Sequence, residues 1–533
     1  MKLLKLASAL VVLSGVMPAA AADLRLIQAV QSGDAKAVRT LLAQHIPLNS
    51  AEPDGSTALH AAVHADNLEI ADLLLAAGAD ANAATRYNIT PLSLACGNGN
   101  TAMIERLLKA GADPNGTSEE GQTALMTAAL TGKPDAVKVL LAHGAKVDVI
   151  EPVKGQTALM WAASKGNTAA AELLIEFGAV VKTKSTGGFT PLLFAVRSGH
   201  VDTVEALLKH GADVNDAAPD TTSALGMAIV NEYFDVGKVL VDHGANPNAP
   251  DPRVSALHAI AWLRKPGSDA GAALARRPAG NPEPHGNSFE LAEDLLNHGA
   301  NPNVRVSWKE KVFDRDTGTM INPPSIILGR HFVTFVGATP FYIAARAGDA
   351  PYMRLLAAHG ADPKIPNVIG VTPLMVAAGM DYWEGESPGP FTGDTEAERL
   401  DAVKAALELG NDVNAACNFG DYKMDGDPEY LLKFPPKNLP ELQARPVMAD
   451  PRWTGSTALH SAVISNQPSI VQYLVDHGAD LNAKNGSGWT PLMVAHGVFF
   501  ANSGKEYPAA EEIITKALKA QGAQVAGLTK AAN

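Results

Sequence analysis

Six histidines hold one recurring place in this chain: His143, His210, His243, His298, His359 and His477 each stand immediately before a Gly-Ala pair. Repeated imidazoles raise the question of zinc. That ion needs its nitrogen ligands about 2.1 Å from one shared point, whereas equivalent residues of stacked helices lie roughly 10 Å apart. A histidine that closes a helix is accounted for by the negative end of the helix dipole and by the last free carbonyls. The structural reading is preferred.

The other chemical candidates are weaker. The triplet DTG at 316–318 matches that of aspartic proteases, but their chemistry needs two such carboxylates sharing one site, and no second triplet occurs. In GDYKMDGDPEY the residues Asp421, Asp425, Asp427 and Glu429 could offer oxygens to calcium, but the spacing is not that of an EF-hand loop, and a solvated acidic turn is expected. WEGESPGPFTGD at 383–394 is glycine-rich and lacks the Gly-Lys-Ser/Thr ending of a phosphate loop. Neither HExxH nor GxSxG is present.

The bulk numbers narrow the class. MKLLK, the apolar run LASALVVLSGVM and the small residues PAAAA have the layout of a secretory signal peptide, with cleavage expected after Ala22. That run is too short to span a bilayer, no Cys follows the site to carry a lipid, and no other long apolar stretch occurs. Stable membrane insertion is not expected. The formal charge of −13 becomes −15 once Lys2 and Lys5 are removed, which disfavours nucleic acid and anionic membrane surfaces. The two cysteines, Cys96 and Cys417, stand seven repeat steps apart, on the order of 60 Å and far beyond disulfide reach.

What must position any site is a repeat. The pentapeptide STALH occurs at 56–60 and again at 456–460, with ITPLS, QTALM (twice), FTPLL, TSALG, VSALH, ATPFY and VTPLM between and WTPLM after. The hydroxyl residues are Thr57, Thr90, Thr123, Thr157, Thr190, Ser223, Ser255, Thr339, Thr372, Thr457 and Thr490, in steps of 33, 33, 34, 33, 33, 32, 84, 33, 85 and 33. Such a period signals a solenoid or propeller. In residues 190–222, Thr190 can cap a helix that Pro191 begins, and Gly199 can end it in the left-handed conformation. A second helix is predicted from about Val201 to His210, with Val204, Leu207 and Leu208 on one face, before Gly211 and turn chemistry. Asp66 and Asn466 replace the first glycine elsewhere and tolerate the same geometry.

T-P-L-H-x-A, then Gly, then L-L-x-x-G-A-D-x-N closely resembles the ankyrin repeat, over about residues 24–523. The resemblance implies an all-α solenoid of about twelve helix-turn-helix units joined by hairpin loops. It also implies that His60, His258 and His460 brace adjacent loops, and that partners bind the concave face lined by first helices and hairpins. Small residues such as Ala61, Ala62, Ala128 and Ala129 let neighbouring helices approach, because one pair this short cannot bury its apolar face alone.

Two steps are too long by 51 and 52 residues. The first divides into 23 extra residues between helices (Ser255 to Gly299) and 28 in the hairpin loop; the second into 17 and 35. The stretch 264–286 is polar and reads as disordered. The two hairpin inserts carry about twice the chain-wide aromatic share of 5% and are expected to be ordered. They are expected either to cover repeat surface or to bind, with Trp308, Phe313, Phe335, Phe419, Tyr422 and Trp453 as partner-binding anchors.

The expected organisation is a signal peptide (1–22), an N-terminal capping repeat (23–55), regular repeats (56–254), insert-bearing repeats (255–338 and 372–456) flanking a regular one (339–371), a further repeat (457–489), a C-terminal capping repeat (490–523) and a tail (524–533). The expected function is a non-enzymatic protein-binding scaffold in the bacterial periplasm, with no cofactor and no metal. Alternatives are a secreted effector that binds host proteins, and an enzyme in which Asp314, His331 and Asp427 of the inserts converge.

Overall fold

The computed structural model describes residues 23–249, 255–264, 286–306, 337–367, 369–380, 395–418, 454–497 and 506–523, with the backbone of four short strands. The expected signal peptide, the tail, the stretches 265–285 and 381–394, and most of both hairpin inserts lie outside these residues. The chain divides into two compact units, Met1–Gly187 and Gly188–Asn533.

The first unit contains five helix pairs among the described residues: Arg25–Gln31 with Ala35–Ala43, Ala58–His64 with Leu68–Ala76, Pro91–Asn98 with Thr101–Lys109, Ala124–Thr131 with Pro134–Ala142, and Ala158–Lys165 with Thr168–Glu176. The second contains seven: Pro191–Arg197 with Val201–Lys209, Ala224–Val230 with Phe234–Asp242, Ala256–Arg264 with Ser288–Asn297, Pro340–Arg346 with Ala350–Ala358, Pro373–Ala377 with Glu396–Glu408, Ala458–Ile464 with Pro468–Asp476, and Pro491–Ala495 with Pro508–Ala520. The expected all-α repeat architecture is what the chain adopts. Each long hairpin insert also carries a two-stranded antiparallel ladder: β1 (Val312–Asp314) with β2 (Thr319–Ile321), and β3 (Tyr422–Lys423) with β4 (Leu431–Leu432).

The caps form as the sequence predicts. Thr190 is extended, its Oγ1 accepts from the Leu193 N–H at 3.3 Å, and Pro191 opens the helix. Gly199, Asp66 and Asn466 are all left-handed, with φ of +74°, +51° and +52°. Inside each pair the apolar faces close: Leu74, Leu107, Leu140 and Leu174 are fully buried, as are Ala62, Ala128 and Ala129. Burying one such leucine contributes about 1.5–3 kcal/mol, most of it realised against a neighbouring pair.

Two polar devices tie successive pairs together. Asn82 Oδ1 accepts from the Asp113 N–H at 2.7 Å, and its Nδ2 donates to the Gly111 carbonyl at 2.9 Å. Asn115, Asn248, Asn303 and Asn414 make the same two bonds. The second device is the buried histidine. His258 Nδ1 lies 2.7 Å from Ser255 Oγ and its Nε2 lies 3.1 Å from the Ala338 carbonyl; His460 bridges Thr457 and the Trp489 carbonyl, and His60 bridges Thr57 and the Ile89 carbonyl. The helix-closing histidines are also structural: His143, His243, His298, His359 and His477 each place Nδ1 within 2.7–3.0 Å of the carbonyl four residues earlier.

The enlarged repeats keep this frame. Asn248 reaches Asn301 across 53 residues and Asn414 reaches Asp480 across 66, with bonds no longer than those of regular repeats. The helix Glu396–Glu408 is 13 residues long, against nine for most second helices, so part of the 17-residue surplus becomes an added first turn. A capping box holds that turn: Thr395 N–H donates to Glu398 and the Glu398 N–H donates to Thr395 Oγ1. At the other enlarged repeat Arg264, the last residue before the 265–285 stretch, donates to both oxygens of buried Asp349 at 2.6 and 3.2 Å. Its guanidinium carbon lies over the Phe289 and Tyr352 rings, 5.0 and 5.4 Å from their centroids.

These contacts make two predictions. Arg264→Leu strands the Asp349 carboxylate and is expected to cost about 3–5 kcal/mol of stability in chemical denaturation; a change below about 1 kcal/mol would show the pair to be dispensable. Burial lowers His258 and His460 from 6.5 to about 4. Their contribution is therefore complete above about pH 6.5 and is lost as pH falls from there through about 4, because over that window only the unfolded chain takes up the protons. Each ring is worth on the order of 3 kcal/mol, so denaturation midpoints should drop steeply between about pH 6.5 and 4.5, and less so in His258→Gln/His460→Gln.

Candidate functional site

The exposure of the fifth residue of each T-x-L-x-x motif differs between the two units. In the first unit Ala61, Leu94, Thr127 and Trp161 are all half-exposed. In the second unit Phe194, Met227, Ala259, Ile343, Val376, Ser461 and Val494 are all buried. Residues 337–350, around the helix Pro340–Arg346, are buried without interruption. An open first-helix face is thus a property of the first unit.

The hairpins agree. The large exposed apolar side chains among the described residues are Tyr87, Ile150, Val153, Phe177 and Val180, all in the first unit. Tyr87 and Val153 sit at hairpin tips, and the tips are joined through their backbones: the Arg86 N–H donates to the Asp54 carbonyl, Glu119 to Tyr87, and Thr186 to Lys154. Trp161 is the one aromatic residue of the open row, and its indole Nε1 is buried without a hydrogen-bond partner.

Of the residues singled out from sequence, Trp308, Phe335, Phe419 and Trp453 lie outside the described residues. Phe313 and Tyr422 are described by backbone alone, paired in their ladders with Met320 and Leu432. Asp421, Asp425, Asp427, Glu429, His331 and the DTG triplet also lie outside, and Asp314 is described by backbone only. Among the described residues no group of three or more His, Cys, Asp or Glu side chains could hold a metal, and no helix is long and apolar enough to cross a membrane. Cys96 and Cys417 are free and buried, and burial pushes both thiols up to about 12. The open row and the apolar tips were missed in the sequence. The unusual fourth hairpin was signalled by the 34-residue step from Thr123 to Thr157, whereas the openness of the row had no local signal.

Comparison with known proteins agrees with this architecture. The family model described as ankyrin repeats (3 copies) matches residues 26–118, 74–151, 92–185, 143–218, 180–251 and 429–498, and the single ankyrin repeat model matches 336–368. The potassium channel AKT1 of Arabidopsis thaliana is 47% identical over 45 residues, 8% of this chain and 5% of the channel. Protein phosphatase 1 regulatory subunit 27 of Mus musculus is 37% identical over 78 residues, 14% of this chain and 46% of the subunit. The chain therefore spans less than half the length of either relative. The crystal structure of the ankyrin repeat domain of Bcl-3 aligns at 27% identity and a TM-score of 0.37, covering 41% of this chain and 98% of that one. With family models matching well over half of its residues, the chain belongs to the ankyrin-repeat family.

Proposed function

We propose that this protein is an exported scaffold that binds a protein partner in the bacterial periplasm, with the open first-helix face and hairpin tips of residues 23–187 as the principal contact. Ankyrin repeats mediate protein–protein interaction, and the similarity to a phosphatase regulatory subunit favours a binding role over a catalytic one. The observation that carries the reading is the partial exposure of Leu94, Thr127 and Trp161 where the second unit buries its equivalents. Apolar and aromatic side chains on a rigid frame bind at little entropic cost. The basic and apolar start of the chain supports export. The aromatic hairpin inserts are a second contact, with Trp308 and Trp453 as anchors.

Affinity capture from periplasmic extract tests this with three forms: the intact chain, Leu94→Lys/Thr127→Arg, and a chain whose hairpin inserts are cut to regular length. The double variant is expected to fold with an unchanged melting temperature and to lose at least about 90% of captured partner, a loss of roughly 1.4 kcal/mol or more. Full retention by that variant would refute the assigned face. Retention by the trimmed chain would remove the inserts from the contact. Recovery of the native protein only from cytoplasm would refute export.

A further inference from the structure

The fourth hairpin differs from its neighbours. From the Gly of the Gly-Ala pair to the next capping Thr is 12 residues at Gly78–Thr90, Gly111–Thr123 and Gly178–Thr190, but 13 at Gly144–Thr157. The added length is rigidly held. The buried Glu151 carboxylate accepts from the N–H groups of Val153, Lys154 and Gln156 at 2.7–2.9 Å. Burial acts to raise its pKa, but these backbone donors outweigh burial and keep it below the usual value. On one side the Thr186 N–H and Oγ1 both donate to the Lys154 carbonyl, at 2.9 and 2.8 Å. That approach requires glycine at 155, where φ is +65° and a Cβ would meet Thr186 N at 2.7 Å. On the other side Pro152 packs over Gly121, where a Cβ could not fit. The turn leaves Val153 and Ile150 outside, at 62% and 54% exposure.

Charge separates this tip from the rest of the chain. The whole sequence carries −13, yet the fourth and fifth hairpins, residues 146–155 and 180–187, hold four lysines (Lys146, Lys154, Lys182, Lys184) against Asp148 and Glu151. All four lysines are exposed. Both acids are turned inward: Glu151 into its own turn, and Asp148 onto the Val180 N–H at 3.1 Å. Of these lysines, Lys154 acts on the Glu151 carboxylate of its own turn and helps to lower its pKa. The positive charge lies on the side of the aliphatic tip formed by the fourth and fifth hairpins, while exposed Glu119 and Glu120 stand on the third, next to the Gly121 that Pro152 covers.

We propose that this tip is a docking site for an acidic peptide segment of a protein partner, with Ile150 and Val153 contacting an apolar side chain and Lys146, Lys154 and Lys182 facing its carboxylates. The proposal rests on the scaffold reading above and names its partner chemistry. Complementary charge selects the partner and speeds encounter, while the caged turn avoids an ordering cost.

A random dodecapeptide library panned against the full chain provides the test. Enriched peptides are expected to be net acidic with an aliphatic or aromatic residue. Their affinity, measured by fluorescence anisotropy, should fall at least about tenfold for Lys154→Glu/Lys182→Glu and for Ile150→Ser/Val153→Ser, and should weaken with added salt. All four positions are exposed, so an unchanged melting temperature is expected for both variants. Glu151→Ala supplies a further readout: it should weaken binding and speed amide exchange at Val153 and Lys154. Enrichment of neutral or basic peptides, absence of enrichment, or binding that both double variants retain would overturn the proposal. If peptides are instead lost on Leu94→Lys/Thr127→Arg, the scaffold reading stands while this site falls.

Discussion

A helix of seven to nine residues does not persist alone in water, because its nucleation cost exceeds what so few hydrogen bonds return. No first helix here is longer than that: Pro340–Arg346 and Ala458–Ile464 have seven residues, and Pro373–Ala377 and Pro491–Ala495 only five. Stability must therefore come from the next pair along. The contacts that supply it are of three kinds: interlocked leucines and alanines, the asparagine rungs between hairpins, and the buried histidines that carry a cap hydroxyl on one nitrogen and a neighbour's carbonyl on the other. The recurrence of STALH follows directly. Thr caps, Leu and Ala pack, and His joins the next layer, so a position that solves this problem once solves it wherever the layer returns.

That dependence made the fold legible. Thr190, Pro191 and Gly199 announce one helix and its end through caps and backbone preference, and the same grammar locates every described pair. The enlarged repeats were legible only in part. The surplus residues could be counted between Thr372 and Gly410, but nothing local showed that four of them would extend the helix Glu396–Glu408. That outcome depends on Thr395 and Glu398 forming a box, a pattern that is common in sequences and realised only where the turn has room. The Arg264–Asp349 pair was equally hidden, since it joins residues 85 apart whose proximity exists only after stacking.

The candidate site was less legible than the fold, for a physical reason. Aromatic content marks inserts conspicuously, so Trp308, Tyr422 and Trp453 drew attention. Exposure at Leu94, Thr127 and Trp161 is set by what covers or does not cover each first helix, and no local pattern encodes that. Phe194 and Trp161 hold the same motif position and are both large; one is buried and the other half-open. The lysines of the fourth and fifth hairpins were invisible in the overall charge because acidic residues elsewhere outnumber them.

The asparagine rungs that close over the two long hairpins, Asn303 to Asp362 across 59 residues and Asn414 to Asp480 across 66, carry one more implication. Closing a loop costs entropy only as the logarithm of its length, so lengthening a hairpin from 12 residues to 40 adds on the order of 1 kcal/mol. A frame whose layers register through side chains on either flank can thus accept a foreign segment of considerable size between two rungs with little thermodynamic consequence. The architecture is open to cargo at its hairpins, and the two enlarged repeats are instances in which that capacity was used.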